Sequence, residues 1–146
     1  MKVKQLSLFL ENQPGALNRP TELLAKAGLN ILTLSLADTQ QYGILRLIVA
    51  EWEKAKALLE REGFVVNVTD LVAIEVADQP GGLARVLGAL EKTHVNIEYM
   101  YGFTLRRERK GLLAFRFNDP DAAIHALQKK GINPVGPVEL FSSAAE

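Results

Sequence analysis

The chain contains no cysteine. Disulfides and thiolate metal sites are therefore excluded, and a reducing, cytoplasmic setting is the natural reading. Histidine is scarce: His94 falls in a helix-to-strand turn and His125 within a helix, with no carboxylate at ligand spacing. No metal centre is expected. No Ser/His/Asp or Cys/His pairing is suggested, and Glu75 and Glu98 fall on strands with nothing to pair them as acid and base, so no enzymatic chemistry is expected. Neither sign of charge is in excess, because 17 basic residues balance 17 acidic ones. That balance argues against a dominant nucleic-acid or anionic-membrane surface. Apolar runs fall short of the ~18 residues that a membrane span needs. The strand-like start Met1-Lys2-Val3-Lys4-Gln5-Leu6 lacks the small-residue cleavage site of a signal peptide. Walker and dinucleotide glycine patterns are missing as well, and no cofactor is expected. What is present is an ordinary globular composition, 48% hydrophobic and 23% charged over 146 residues, which suits one domain or two small ones.

One loop occurs twice. The first copy is Asn12-Gln13-Pro14-Gly15-Ala16-Leu17, and the second is Asp78-Gln79-Pro80-Gly81-Gly82-Leu83. Each follows an apolar run and precedes a helical pattern. Pro fixes one backbone torsion, and the Gly after it permits positive φ. The helix that follows opens with unpaired N–H groups, which suit a carboxylate or phosphate. The repetition extends well beyond the loop. A shift of 66 positions, Pro14 to Pro80, also places Arg19 on Arg85, Leu24 on Leu90, Asn30 on Asn96 and Ile31 on Ile97. Past the second strand the shift is 68, with Gly43 on Gly111 and Gly63 on Gly131. The chain therefore reads as two homologous units, residues 1–70 and 71–146.

The hydrophobic periods give the same elements in each unit. The first has strands over 2–10, 30–37, 42–50 and 64–68, with helices over 16–27 and 52–62. The second has strands over 71–77, 96–105, 111–118 and 132–140, with helices over 82–92 and 119–131. Thr69-Asp70 reads as the linker, and residues 141–146 as a frayed tail. Strand-helix-strand-strand-helix-strand is the ferredoxin-like unit. The fold class is α+β: two βαββαβ units packed side by side, with antiparallel sheets and helices on one face. Arg106-Arg107-Glu108-Arg109-Lys110 is a basic hairpin, read as a solvated tip, with nucleic-acid contact the lesser alternative.

Both loops, followed by Gly28-Leu29-Asn30-Ile31 in one copy and His94-Val95-Asn96-Ile97 in the other, resemble the ACT domain. The resemblance covers about residues 3–71 and 70–141. It implies a tandem, non-enzymatic, allosteric regulatory protein whose effector is a free amino acid. It also implies that ligand lies where two domains meet, touched by the Pro-Gly loop of one and the second strand of the other. The site residues so nominated are Asn12, Gln13, Pro14, Gly15, Ala16 and Leu17 with Asn96, Ile97, Tyr99, Met100 and Tyr101. The second set is Asp78, Gln79, Pro80, Gly81, Gly82 and Leu83 with Asn30 and Ile31. Within these 146 residues no segment is left for an enzyme domain, which departs from the usual arrangement and leaves the regulated target open. A homodimer is expected, because outer sheet edges and one sheet face still need cover. The runner-up is an interaction module, such as a regulatory subunit of an amino-acid biosynthetic enzyme with no ligand of its own.

An amino acid offers a carboxylate to the loop amides and an ammonium to Asn12 or Asp78. Asp78 carries a charge that Asn12 lacks, and Gly82 in place of Ala16 is expected to leave more room. Thr33 and Ser35 align with Tyr99 and Tyr101, so the two sites are expected to differ, one small and polar-lined and the other aromatic-lined.

Overall fold

The computed structural model describes residues 1–38, 40–107 and 109–143, and the chain forms two compact units. One is Lys4–Thr69; the other runs from Asp70 onward and includes Met1–Val3. The first unit is built from β1 (Lys2–Glu11) from Lys4 onward, α1 (Asn18–Lys26), β2 (Ile31–Asp38), β3 (Tyr42–Val49), α2 (Trp52–Arg61) and the start of β4 (Val66–Ala77). The second holds the rest of β4, then α3 (Gly82–Leu90), β5 (Ile97–Arg107), β6 (Lys110–Phe117), α4 (Pro120–Lys129) and α5 (Pro137–Ser143).

In the first unit β3 lies between β2 and β1 and is antiparallel to both, with Leu8 opposite Leu45 and Leu34 opposite Leu47. Strand alternation puts Leu6, Leu8 and Leu10 on the same face as Leu45, Leu47 and Val49. Leu24 of α1 with Ala55 and Leu59 of α2 cover that face and complete the buried cluster. The second unit repeats the plan, with β6 between β4 and β5. Its cluster joins Val72, Ile74, Val76, Phe115 and Phe117 to Val86 and Leu90 of α3 and Ala123 and Leu127 of α4. Full burial of side chains of this size contributes about 1.5–3 kcal/mol each, and that burial holds the helices on the sheet.

The helix ends follow from local sequence. Helices α1, α2 and α4 stop at Gly28, Gly63 and Gly131, where paired bonds close the last turn: Phe64 N–H donates to the Leu59 carbonyl at 3.0 Å and Ile132 N–H to Leu127 at 3.0 Å. Asp119 caps α4, its carboxylate accepting from the Ala122 N–H at 3.0 Å, with Pro120 at the first helical position. Replacing Asp119 with alanine should cost about 1 kcal/mol, measurable as a lowered urea midpoint. In α1, Pro20 is the third helical residue, where the missing N–H is one that no carbonyl would have received. Lys2 reaches Asp121 of α4 at 3.1 Å. That hydrogen bond and charge raise the Lys2 pKa, so the pair persists to pH values above the ordinary lysine range and is lost only beyond it.

Three sequence-based expectations are corrected. Thr69-Asp70 is no linker: β4 is one continuous strand from Val66 to Ala77. Neither residue is Gly or Pro, so nothing there stops an extended chain. The fourth strand of the second unit, expected over 132–140, shrinks to a single bridge between Val135 and Ala73, and residues 137–143 are helical. Pro134 and Pro137 flank Val135, and a residue without an N–H cannot extend a ladder. The expected tail from 141 begins inside α5, and residues 144–146 lie outside the described residues. The basic hairpin falls largely outside them too: Glu108 and the side chains of Arg106 and Arg107 are not among those described.

Candidate functional site

The two Pro-Gly loops share their turn bonds, but the helix after the second starts earlier: Asn18 N–H donates to the Gly15 carbonyl at 3.1 Å, whereas the Gly81 carbonyl accepts from Arg85 N–H at 3.0 Å. Ala16 N–H donates to the Gln13 carbonyl at 3.2 Å, and Gly82 N–H to Gln79 at 3.1 Å. Gly15 and Gly81 stand at φ +82 and +87. Proline at the second position, positive φ at the third and a bond from fourth to first define a type II turn. One residue earlier, Gln13 N–H donates to Glu11 and Gln79 N–H to Ala77, both at 2.9 Å. Asn12 N–H meets the Gln41 carbonyl and Asp78 N–H the Arg109 carbonyl, so each loop is pinned to a hairpin of its own unit. The Asn12 side chain adds bonds from Nδ2 to Gln40 O at 3.0 Å and Asp38 Oδ1 at 3.3 Å.

These bonds decide which amides remain. Those of Ala16 and Gly82 are spent in closing the turns. Among the described residues, the amides of Gly15, Leu17, Gly81 and Leu83 make no backbone hydrogen bond. They carry the anion-binding potential of each loop. The expectation that Gly82 leaves extra room is overturned. A Cβ there would stand 2.0 Å from the Ala77 carbonyl oxygen, so backbone fills the space.

Beside each turn is a hollow, and the two are made of equivalent positions. The first, about 520 Å³, is lined by Phe9, Leu10, Glu11, Gln13, Pro14, Gly15, Ala16, Arg19 and Phe64. The second, about 200 Å³, has Glu75, Val76, Ala77, Gln79, Pro80, Gly81, Gly82, Arg85, Val86 and Ile132. Arg19 and Arg85 sit one helical turn beyond the bend. Phe64 and Ile132 are the residues just past the glycine stops of α2 and α4, so the helix terminus aims each one under its loop. Arg19 Nη2 donates to the Glu62 carbonyl at 2.7 Å, and the guanidinium lies over the Phe64 ring, 5.0 Å from its centroid. Arg19, Arg85, Phe9, Glu11, Phe64, Glu75 and Ile132 were not among the ligand-site residues nominated from sequence. The signal available was the register of the repeat, which keeps an arginine at one position in both copies.

The second-strand residues lie elsewhere in their units. Asn30, Ile31, Asn96, Ile97, Tyr99, Met100 and Tyr101 line neither hollow. Ile31 and Ile97 pack against the two cores, as do Leu17 and Leu83. Tyr99 and Tyr101 stand opposite Arg116 and Ala114, on the sheet face away from the helices, whereas Met100 pairs with Phe115 on the covered face. Asn96 is held through its backbone by Asn118, whose Oδ1 accepts from the Asn96 N–H at 2.8 Å.

A third hollow, about 670 Å³, runs between α3 and α4 and holds His94 and His125. Thr93, Asn118 and Asp119 among its lining residues make structural hydrogen bonds. Thr93 Oγ1 donates to Leu90 O and accepts from Val95 N–H, and Asp119 caps α4. Among the described residues no cluster of His, Asp and Glu suits a metal ion. No described helix is long and apolar enough to cross a membrane.

The family model for the ACT domain pair matches residues 1–141. The chain belongs to that family. A crystal structure of protein BT0572 from Bacteroides thetaiotaomicron is similar to this ACT pair at 39% identity and a TM-score of 0.89, over 97% of this chain and 96% of that one. The ligand-free regulatory subunit of aspartate kinase from Thermus thermophilus superposes with a TM-score of 0.64 at 18% identity, over 88% and 93% of the two chains. Its counterpart from Thermus flavus gives 0.61 at 16%, over 88% and 92%. At those identities the likeness to the kinase subunits is one of fold. No curated protein matches this chain. The antiparallel sheet and helix plan of each unit is that of the ACT pair, a regulatory architecture.

Proposed function

We propose that this ACT pair is a non-enzymatic regulatory protein that binds a free amino acid beside its Pro-Gly turns. The observation that carries the reading is the pair of equivalent hollows, each lined by an arginine and by a glycine, Gly15 or Gly81, whose amide makes no backbone hydrogen bond among the described residues. A carboxylate needs such donors, and a site made of them asks for no metal or cofactor. The domains are taken as residues 1–70 and 71–146, and Asn12–Leu17 and Asp78–Leu83 as the ligand loops. The family resemblance adds Asn30, Ile31, Asn96, Ile97, Tyr99, Met100 and Tyr101 as the strand side of the site. The protein acts in the cytoplasm as a homodimer and passes its signal to a metabolic enzyme. The fold shared with aspartate kinase regulatory subunits supports an enzyme partner of that general kind.

Thermal-shift screening against the twenty amino acids tests the reading. A ligand at about 100 times its Kd stabilises the folded chain by about 2.7 kcal/mol, which for this length is a rise of roughly 5–10 °C. One or a few amino acids should give that rise. Flat curves for all of them would leave a docking module without a ligand as the better account.

A further inference from the structure

We infer that the two hollows are built for different ligands, and that the first is a zwitterion site for an α-amino acid with a large apolar or aromatic side chain. This rests on the reading above that an amino acid binds beside a Pro-Gly turn, and it adds which turn and what kind of side chain.

The repeat permits a position-by-position comparison. Arginine is common to both hollows, but its neighbours are exchanged: Phe9, Glu11, Ala16 and Phe64 in the first stand where the second has Glu75, Ala77, Gly82 and Ile132. In the first hollow Arg19 is already oriented by the Glu62 carbonyl and the Phe64 ring. A guanidinium has five N–H donors, so the bond to Glu62 leaves a planar fork for a carboxylate, and prior anchoring lowers the entropy lost on binding. Glu11 brings negative charge to the same hollow and is the natural partner for the ammonium. Phe9, 58% exposed, Pro14 and Phe64 supply apolar wall for a side chain, and Phe9 has surface left to cover. Carboxylate, ammonium and side chain each find a group of matching chemistry.

The second hollow lacks this set. The position of Glu11 is held by Ala77, and the acid that is present, Glu75, is ion-paired with Lys110 at 3.2 Å. Small-molecule sites span roughly 300–1,000 Å³. The first hollow, at about 520 Å³, falls inside that range, and the second, at about 200 Å³, falls below it. Backbone occupies the space beside Gly82.

Calorimetry on the full chain with L-phenylalanine, L-leucine, L-alanine and glycine, paired with amide NMR shifts, tests this. L-Phenylalanine or L-leucine should bind one site per chain, at least tenfold more tightly than L-alanine or glycine, and should move the Gly15 amide rather than that of Gly81. Arg19→Gln and Glu11→Gln should each weaken binding at least tenfold. Arg19→Lys, which keeps the charge and loses the fork, should fall between wild type and Arg19→Gln. Melting curves of the ligand-free variants show whether the fold survives. Binding that is indifferent to side-chain size or to Arg19, or shifts centred on Gly81, would overturn the inference and leave amino-acid sensing intact. If none of the twenty amino acids binds, both fall together.

Discussion

Gly82→Ala should destabilise the second unit by about 3 kcal/mol, the upper end of what overpacking usually costs. The added Cβ would meet the Ala77 carbonyl oxygen at 2.0 Å and the carbonyl carbon at 3.0 Å. Backbone cannot swing aside as a side-chain tip can. The same carbonyl receives the Gln79 N–H, and Gly82 N–H closes the turn, so relief in either direction breaks a bond of the loop. For a chain of this length the loss is a fall of roughly 10 °C in Tm. The first unit supplies the control, because Ala16 already occupies the equivalent position. Ala16→Gly should shift stability by less than about 1 kcal/mol. A melting curve for Gly82→Ala within about 2 °C of wild type, a change of less than roughly 1 kcal/mol, would show that β4 and α3 can part without cost.

That contrast marks what the sequence revealed and what it hid. Both turns were legible, since Pro followed by Gly has few ways to fold, and the register of the repeat placed them in equivalent settings. Helix stops at Gly28, Gly63 and Gly131 were legible for the same kind of reason, a local conformational demand with a local signature. The role of Gly82 was not legible. A missing side chain implies space only where nothing else enters it, and the entry of the Ala77 carbonyl depends on how strand and helix converge. Residues 132–140 failed differently. Ile132, Val135, Val138 and Leu140 supplied the apolar residues of a strand, yet Pro134 and Pro137 denied the ladder its donors, leaving Val135 N–H to reach Ala73 at 2.8 Å. Backbone chemistry outweighs the hydrophobic pattern there, and the two prolines that decide it are visible in the sequence. At the hollows, Arg19 and Arg85 were visible only as matching positions of the repeat, because it is the turn geometry that places them beside the Pro-Gly bend. Phe64 read as the start of a strand, although its place is fixed by the end of α2.

Phe115→Ala should cost about 3–5 kcal/mol. Phe115 and Phe117 are fully buried on β6, their rings stacked 5.5 Å apart with planes inclined by 2°. Their counterparts in the first unit are Leu47 and Val49, so the second core has larger residues on the sheet. The helices compensate. Where the first unit packs Leu23 and Leu58 against its core, the second has Ala89 and Ala126. Bulk thus sits on the strand in the second unit and on the helices in the first. Removing one ring therefore opens a cavity that the small helix residues cannot fill. The single tryptophan, Trp52, packs against the first core and reports on that unit, while far-UV circular dichroism reports on both. Urea unfolding of Phe115→Ala should lower the midpoint seen by circular dichroism. Adding Ala126→Leu should return part of the loss, because the two sites share one core and couple. Strict additivity of the two changes would show that α4 does not pack where Phe115 needs it.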